Sequence, residues 1–224
     1  MNKLNHIAFI MDGNGRWGLK KKKGRNFGHL AGVKTVQKIV EASISFKVPS
    51  VTFYVFSTEN WKRPKSEISY LFNLINIYFK KELESIIKNN IKIIISGKTQ
   101  SLPVKIKNIL KKVKDKTKKN KKIIINLAIN YGSKSEVIDA FKKIKGKSQK
   151  ITEANINKNL YCDLFFPDIL IRTGGQKRLS NFMLWQLAYS EIFFLDKLWP
   201  EFTKNDLKKI INRYHKTKRN FGGI

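Results

Sequence analysis

The first residues with chemical potential follow the first apolar run. His6–Met11 is a short apolar segment, and Asp12-Gly13-Asn14-Gly15-Arg16-Trp17-Gly18 comes directly after it. An aspartate at the mouth of a glycine-rich turn is a hard-oxygen ligand suited to Mg²⁺, an ion that takes one or two carboxylates and shares substrate phosphates. Backbone N–H groups in such a turn suit phosphate oxygens, and Arg16 adds a planar, forked cation. By itself the segment also reads as an Asp-Gly/Asn-Gly turn with a solvent-facing aspartate. Gly13, Gly15 and Gly18 match G-x-G-x-x-G as well. A dinucleotide site, however, needs an acidic residue about 20 positions on, closing the second strand. Here the next strand pattern ends near Phe56, and the bulky Arg16 and Trp17 fill the turn, so a nicotinamide site is set aside.

Three further segments carry candidate chemistry. In GRNFGHLAG, Arg25 and His29 are four apart and share a face once a helix has begun. Gly24, Gly28 and Gly32 share that spacing and permit close helix packing, while His29 alone is equally a core or capping histidine. FSTENWKRP brings together Ser57, Thr58, Glu59, Asn60, Trp61 and Arg63 after a β-branched, aromatic run. Ser-Thr-Glu there also reads as a helix cap, and Trp61 as core packing. In IRTGGQKRLS, Arg172 and Arg178 flank Gly174–Gly175, with Leu179 and Ser180 beyond. Two arginines around a glycine pair make a clamp for a second diphosphate, or a surface turn with two exposed cations. Glu191, further on, offers a second carboxylate or a solvent-facing strand residue. The three histidines have no Cys or His partner at ligand spacing, which argues against zinc.

These segments need a scaffold. The periodicity predicts strands at His6–Met11, Ser50–Phe56, Ile91–Ile95, Ile123–Ile129, Asp168–Ile171 and Glu191–Leu195. It predicts helices at His29–Phe46, Ser66–Asn89, Pro103–Lys119, Ser133–Lys145 (capped by Ser133), Thr152–Asn159 and Lys204–Lys216. Strands separated by helices imply crossovers and a mainly parallel α/β sheet covered on both faces. Ligands of such sheets gather at the carboxyl ends of strands. Asp12–Trp17, Ser57–Arg63 and Arg172–Ser180 each follow a predicted strand there. The apolar face of Ser66–Asn89, with the strands Ser50–Phe56 and Ile91–Ile95, reads as hydrophobic core.

At 224 residues, 42% hydrophobic, the chain suits one folded domain, 1–224. The single cysteine, Cys162, excludes an internal disulfide and fits a reducing compartment. The N-terminus lacks the layout of a signal peptide, and no apolar run approaches the ~20 residues of a spanning helix. A cytoplasmic protein is expected, at most peripheral to a membrane. The net charge of +30 would draw polyanionic substrates or an anionic membrane face. Lysine supplies most of it; only seven of the 46 basic residues are arginine, and five of those lie in the segments above. Where lysine is the default cation, arginine marks places that need a two-pronged donor.

HIAFIMDGNGRW, GRNFGH, FSTENWKRP, NYG, RTGG, RLSNFMLWQLAYSE and LWPEF, in that order, resemble the cis-prenyltransferase family, best known from bacterial undecaprenyl diphosphate synthases. The resemblance runs from about His6 to Gly223. It implies a six-stranded, mainly parallel sheet flanked by helices, a homodimer, and Mg²⁺-dependent condensation of isopentenyl diphosphate with an allylic diphosphate such as farnesyl diphosphate. The implied product is a long-chain Z-polyprenyl diphosphate, undecaprenyl diphosphate, the carrier lipid of cell-wall glycan synthesis. It also implies that Asp12 binds Mg²⁺, with Glu191 as second ligand. Gly13, Asn14, Gly15, Arg16, Arg25 and His29 would hold the allylic diphosphate. Trp17, Ser57, Thr58, Glu59, Trp61 and Arg63 would shape the substrate site. Asn60 stands at the family's proton-accepting position, although a neutral amide is a poor base and suits orientation or relay. Arg172, Arg178, Leu179 and Ser180 would bind isopentenyl diphosphate. Two positions depart from the pattern: Gln176 stands where Glu is usual, and Asn220 where Arg is usual. A non-catalytic subunit of this fold would lose the Asp12–Trp17 loop, which is present. A nucleic-acid binder would need stacking aromatics on an exposed sheet, whereas these aromatics lie in apolar runs and in the loops above; no nucleic-acid partner is expected.

Overall fold

The structure is a computed structural model that describes residues 2–219. Asn220, the departure in the C-terminal ending, lies outside the described residues. Six strands, β1 (His6–Ile10), β2 (Ser50–Ser57), β3 (Ile91–Ser96), β4 (Ile123–Tyr131), β5 (Ile169–Arg172) and β6 (Glu191–Phe194), form one sheet in the order β3-β4-β2-β1-β5-β6. The β1–β5, β5–β6 and β3–β4 ladders are parallel. The helices are α1 (Asn14–Lys20), α2 (Gly24–Ser45), α3 (Lys65–Lys88), α4 (Val104–Thr117), α5 (Ser133–Gly146), α6 (Glu153–Asn159) and α7 (Lys204–Lys216). The expected α/β architecture, a six-stranded mainly parallel sheet flanked by helices, is the observed one.

The chain divides into two compact units. One is built from the residues up to Val51, from Phe166–Arg178 and from Gln186 onward; the other from Thr52–Phe165 and Leu179–Trp185. In the first, Ile7, Ala8 and Phe9 of β1 are wholly buried, as an apolar run covered on both faces requires. Burying an Ile or Phe side chain contributes about 1.5–3 kcal/mol. Trp199 lies edge-on to Phe9 and stacks on Phe202, and its indole N–H donates to the Gly32 carbonyl of α2 at 3.0 Å.

Helix α1 is absent from the periodicity reading, which leaves Asp12–Trp17 as a loop. Two glycines in seven residues give it poor intrinsic propensity, so its stability is tertiary. A Cβ on Gly28 of α2 would fall 1.8 Å from the Asn14 carbonyl oxygen, and one on Gly18 would fall 2.1 Å from the Gly24 carbonyl oxygen. The two backbones touch because these positions lack side chains. Helix α2 accordingly begins at Gly24, ahead of the expected His29.

In the second unit α3 and α4 lie against β3. Helix α4 buries Ile106, Ile109, Leu110 and Val113 and turns its lysines outward. The expected apolar face of α3 is buried at Ile68, Phe72, Phe79 and Ile86, while Ile87 is exposed. Ser133 does not cap α5. Gly132 is the N-cap residue, and Asn181 does the capping from a distance: its carbonyl accepts from Ser133 N–H at 2.8 Å and its Oδ1 from Lys134 N–H at 3.0 Å. The Ser133 hydroxyl accepts instead from Leu184 N–H, at 2.9 Å.

Candidate active site

Asp12 sits two residues past the carboxyl end of β1, and neighbouring elements hold its backbone. Its carbonyl accepts from the Thr173 hydroxyl at 2.8 Å and from Trp199 N–H at 3.0 Å. Gly13 then turns the chain into α1 at φ +106°, beneath Leu198, whose Cδ2 would lie 2.7 Å from any Cβ. A side chain there would meet both strain and a clash.

Held this way, the Asp12 carboxylate lies between two guanidinium groups. Oδ1 accepts from Arg16 at 3.0 Å and Oδ2 from Arg172 at 2.9 Å. Arg172 is only 4% exposed, whereas Arg16 and Arg25 open to solvent. Two glycines make room for these exposed cations. A Cβ on Gly174 would fall 2.5 Å from an Arg16 nitrogen, and one on Gly15 would fall 2.8 Å from the Arg25 guanidinium carbon. Gly15 and Gly174 thus act as floors under arginine forks. His29 is buried one helical turn after Arg25 on α2, as the shared-face reading expects. Trp17 stacks on Phe27 at 5.6 Å and 13°, with Lys21 5.7 Å from its ring centroid.

The glycine pair of RTGG does not offer its N–H groups to a ligand. Gly174 N–H donates to the Lys197 carbonyl and Gly175 N–H to the Leu195 carbonyl, both at 2.8 Å, continuing the β5–β6 pairing past the strand ends. The cations around the pair remain. Arg172 donates to the carbonyl of Arg178, and the Arg178 side chain donates to Gln176 Oε1 at 2.6 Å.

Glu191 does not join Asp12 within one chain. Ile10 is level with Arg172 at the carboxyl end of β5, whereas Glu191 is level with Ile169 at its amino end. Three residues of strand, roughly 10 Å, separate the two levels. The position of Glu191 at the amino end of its strand, already legible in the predicted span Glu191–Leu195, puts it at the edge away from Asp12.

In the second unit, Ser57 closes β2 and residues 58–62 form a 3-10 turn. Asn60 Oδ1 accepts from Ser57 N–H at 3.2 Å, so its carboxamide acceptor holds the turn. The Thr58 hydroxyl lies over Gly132, 2.6 Å from where a Cβ would be. Glu59 accepts from Asn181 Nδ2 at 2.9 Å. Partial burial raises the Glu59 carboxyl, but hydrogen bonds from Asn181, its own backbone N–H, Ser57 and Thr58 outweigh that and hold it below its ordinary value. Trp61 packs edge-on against Phe56 and Phe72 and is 40% exposed. Arg63 pairs with Glu67 at 3.2 Å. Ser180 is exposed in a left-handed conformation, its carbonyl accepting from the Tyr54 hydroxyl at 3.2 Å. Thr173 and Asn181 escape the sequence reading; both lie inside the quoted motifs, and their roles depend on backbone partners that a sequence does not display.

The donor set bears on a metal. Among the described residues no group of three or more His, Cys, Asp or Glu side chains gathers to cage one. Each Asp12 oxygen carries one guanidinium bond, which leaves lone-pair capacity on both. One carboxylate with spare lone pairs, beside cations that attract phosphates, fits a Mg²⁺ shared with a phosphate ligand.

Known proteins resemble this chain over nearly its whole length. The family model described as "Putative undecaprenyl diphosphate synthase" matches residues 10–222. The isoprenyl transferase of Fusobacterium nucleatum is 45% identical over 98% of this chain and 96% of its own length. A probable undecaprenyl diphosphate synthase from Campylobacter jejuni has a crystal structure that superposes with a TM-score of 0.87 at 37% identity, covering 99% of this chain and all of the other. Lavandulyl diphosphate synthase from Lavandula x intermedia, crystallised with dimethylallyl diphosphate, superposes at 0.93 with 27% identity over 97% of this chain and 98% of that one. The chain belongs to the cis-prenyltransferase (undecaprenyl diphosphate synthase) family, enzymes that act on isoprenoid diphosphates.

Proposed function

We propose that this enzyme condenses isopentenyl diphosphate units onto an allylic diphosphate, farnesyl diphosphate, in a Mg²⁺-dependent reaction. The product is a di-trans,poly-cis-polyprenyl diphosphate of undecaprenyl length, the carrier lipid for cell-wall glycan synthesis. The observation that carries this reading is the Asp12 carboxylate held between Arg16 and Arg172, with the Arg25 fork over Gly15 beside it.

Asp12 would hold the ion, which when bound supplies Lewis-acid stabilisation of the departing diphosphate. Arg16 and Arg25, open to solvent above their glycine floors, present paired N–H donors to the allylic diphosphate, with Gly13, Asn14, Gly15 and His29 around it. Arg172 and Arg178, with Leu179 and Ser180, hold isopentenyl diphosphate. The C1–O bond of the allylic substrate breaks and its electron pair leaves on the diphosphate. The isopentenyl double bond attacks C1, and a proton departs from C2 of the isopentenyl unit to leave a Z double bond. The cations stabilise charge that grows on the leaving oxygens, so they act most strongly in the transition state. Asn60, its Oδ1 engaged by Ser57, orients the substrate or relays the proton. Trp17, Ser57, Thr58, Glu59, Trp61 and Arg63 shape the site.

The enzyme acts as a homodimer in the cytoplasm. Its lysine-rich surface suits peripheral contact with an anionic membrane. No helix among the described residues is long and apolar enough to cross one. The test is incubation of the purified protein with farnesyl diphosphate, labelled isopentenyl diphosphate and Mg²⁺, followed by sizing of the products. Elongation lost in Asp12→Ala supports the reading; no elongation, or a variant that elongates like wild type, overturns it.

A further inference from the structure

The Asn130–Tyr131–Gly132 motif closes β4, and none of the roles above uses Asn130. Its side chain is 4% exposed and fully engaged. Oδ1 accepts from the Trp61 indole N–H at 2.8 Å, while Nδ2 donates to the Lys98 carbonyl and to the Ser101 hydroxyl, both at 2.8 Å. Its carbonyl accepts from Lys98 N–H at 3.1 Å. The residue does this from a left-handed backbone, φ +50°, an uncommon conformation outside glycine in which asparagine is enriched. A single carboxamide therefore ties the 98–101 turn to the exposed indole that ends the 58–62 turn.

We infer that Asn130 is a positioning residue for the prenyl-transfer reaction, fixing the plane of the Trp61 ring, one of the residues proposed above to shape the substrate site, so that it stands as a preset apolar wall. The ring has an edge-on contact with Phe56 and another with Phe72. Those contacts are apolar and tolerate rotation and sliding of the ring. The directional bond to Asn130 selects one orientation of a half-exposed side chain before substrate arrives, which lowers the ordering cost of binding. A purely structural role would need only the bonds to Lys98 and Ser101; the third bond reaches out to an exposed ring.

This inference rests on the proposed prenyl-transfer reading, and its test separates the two. Asn130→Gly keeps the left-handed backbone accessible and deletes the carboxamide. Ser101→Ala removes one bond of the same side chain and leaves the bond to Trp61. The first readout is the ¹⁵N–¹H resonance of the Trp61 indole, which needs no activity. It should move and exchange faster in Asn130→Gly and stay in place in Ser101→Ala. The second is steady-state elongation. Asn130→Gly should raise KM for at least one of the two diphosphate substrates about tenfold, the loss of one buried hydrogen bond, with kcat little changed. Trp61→Phe should do the same, and the double variant should be no worse than either single one. An unmoved indole resonance, or additive effects in the double variant, overturns the inference. Absence of elongation in the wild type overturns the underlying reading instead. Should Asn130→Gly fail to fold, Trp61→Phe carries the test from the other end of the bond, and an unchanged KM there overturns it.

Discussion

Asp12 and Arg172 lie 160 residues apart in the chain and 2.9 Å apart in the fold, a carboxylate at the end of β1 against a 4%-exposed guanidinium at the end of β5. The same arginine donates to the Arg178 carbonyl, so the carboxylate and the 172–178 segment share one cation. Replacing Asp12 by Asn keeps the shape and removes the charge. Elongation should fall at least about a hundredfold, the scale of losing one preorganised electrostatic contact. Stability should fall by about 1–3 kcal/mol, since Arg172 is left buried without its counter-charge while the partly exposed Asp12 moderates the cost. Product analysis together with urea unfolding measures both.

Much of this site follows from residue type and spacing. Apolar runs ended by turn residues marked the strands, and helical spacing placed Arg25 and His29 on one face. The scarcity of arginine against lysine pointed to residues 16, 25, 63, 172 and 178. What stayed hidden was set by tertiary contact. Helix α1 exists because Gly18 and Gly28 let two backbones touch, a feature that leaves no apolar period. The partners of the Gly174 and Gly175 N–H groups depend on strand register. Asn130 and Asn181 act through left-handed backbones at φ +50° and +61°, which a residue name does not announce.

Gly28→Ala tests the α1–α2 contact. Its Cβ would meet backbone, the Asn14 carbonyl oxygen at 1.8 Å, so α1 must move. At Gly32 the obstacle is the Asn14 side-chain oxygen at 2.3 Å, the far end of a rotatable group. Gly28→Ala should therefore cost about 1–3 kcal/mol or more in unfolding free energy and raise KM for the allylic diphosphate. Gly32→Ala should cost less. A reversed order in urea midpoints would contradict the contact.

Glu59 and Asn181 link the 58–62 turn to the start of α5. The folded Glu59 carboxyl sits below its ordinary value of 4.5. A depressed carboxyl contributes stability that is fully present above that ordinary value and is lost as pH falls through the lowered one. Asn181→Ala removes the donor to Glu59 and the side-chain acceptor of Lys134 N–H. The variant should be less stable at pH 7 by about 1–3 kcal/mol, two hydrogen bonds' worth, and the gap should narrow once Glu59 is protonated. Denaturant midpoints followed from pH 7 down through the acid range give the comparison; a gap that widens as pH falls would show that Glu59 is not the group involved.

A single carboxylate with an arginine on each oxygen makes a weak cation site until phosphate arrives. Mg²⁺ should therefore bind the free enzyme feebly and tighten about 5- to 150-fold when inorganic diphosphate is present, the usual span of coupling between ligands. The coupling is reciprocal, so diphosphate should gain the same factor from Mg²⁺. Calorimetric titration in both orders, after subtraction of the ion–diphosphate association in solution, measures the factor twice. Asp12→Asn should abolish it while leaving arginine-driven diphosphate binding measurable. Tight Mg²⁺ binding in the absence of diphosphate, or coupling that survives in Asp12→Asn, would mean that the ion is held elsewhere and that Asp12 serves only to orient Arg16 and Arg172.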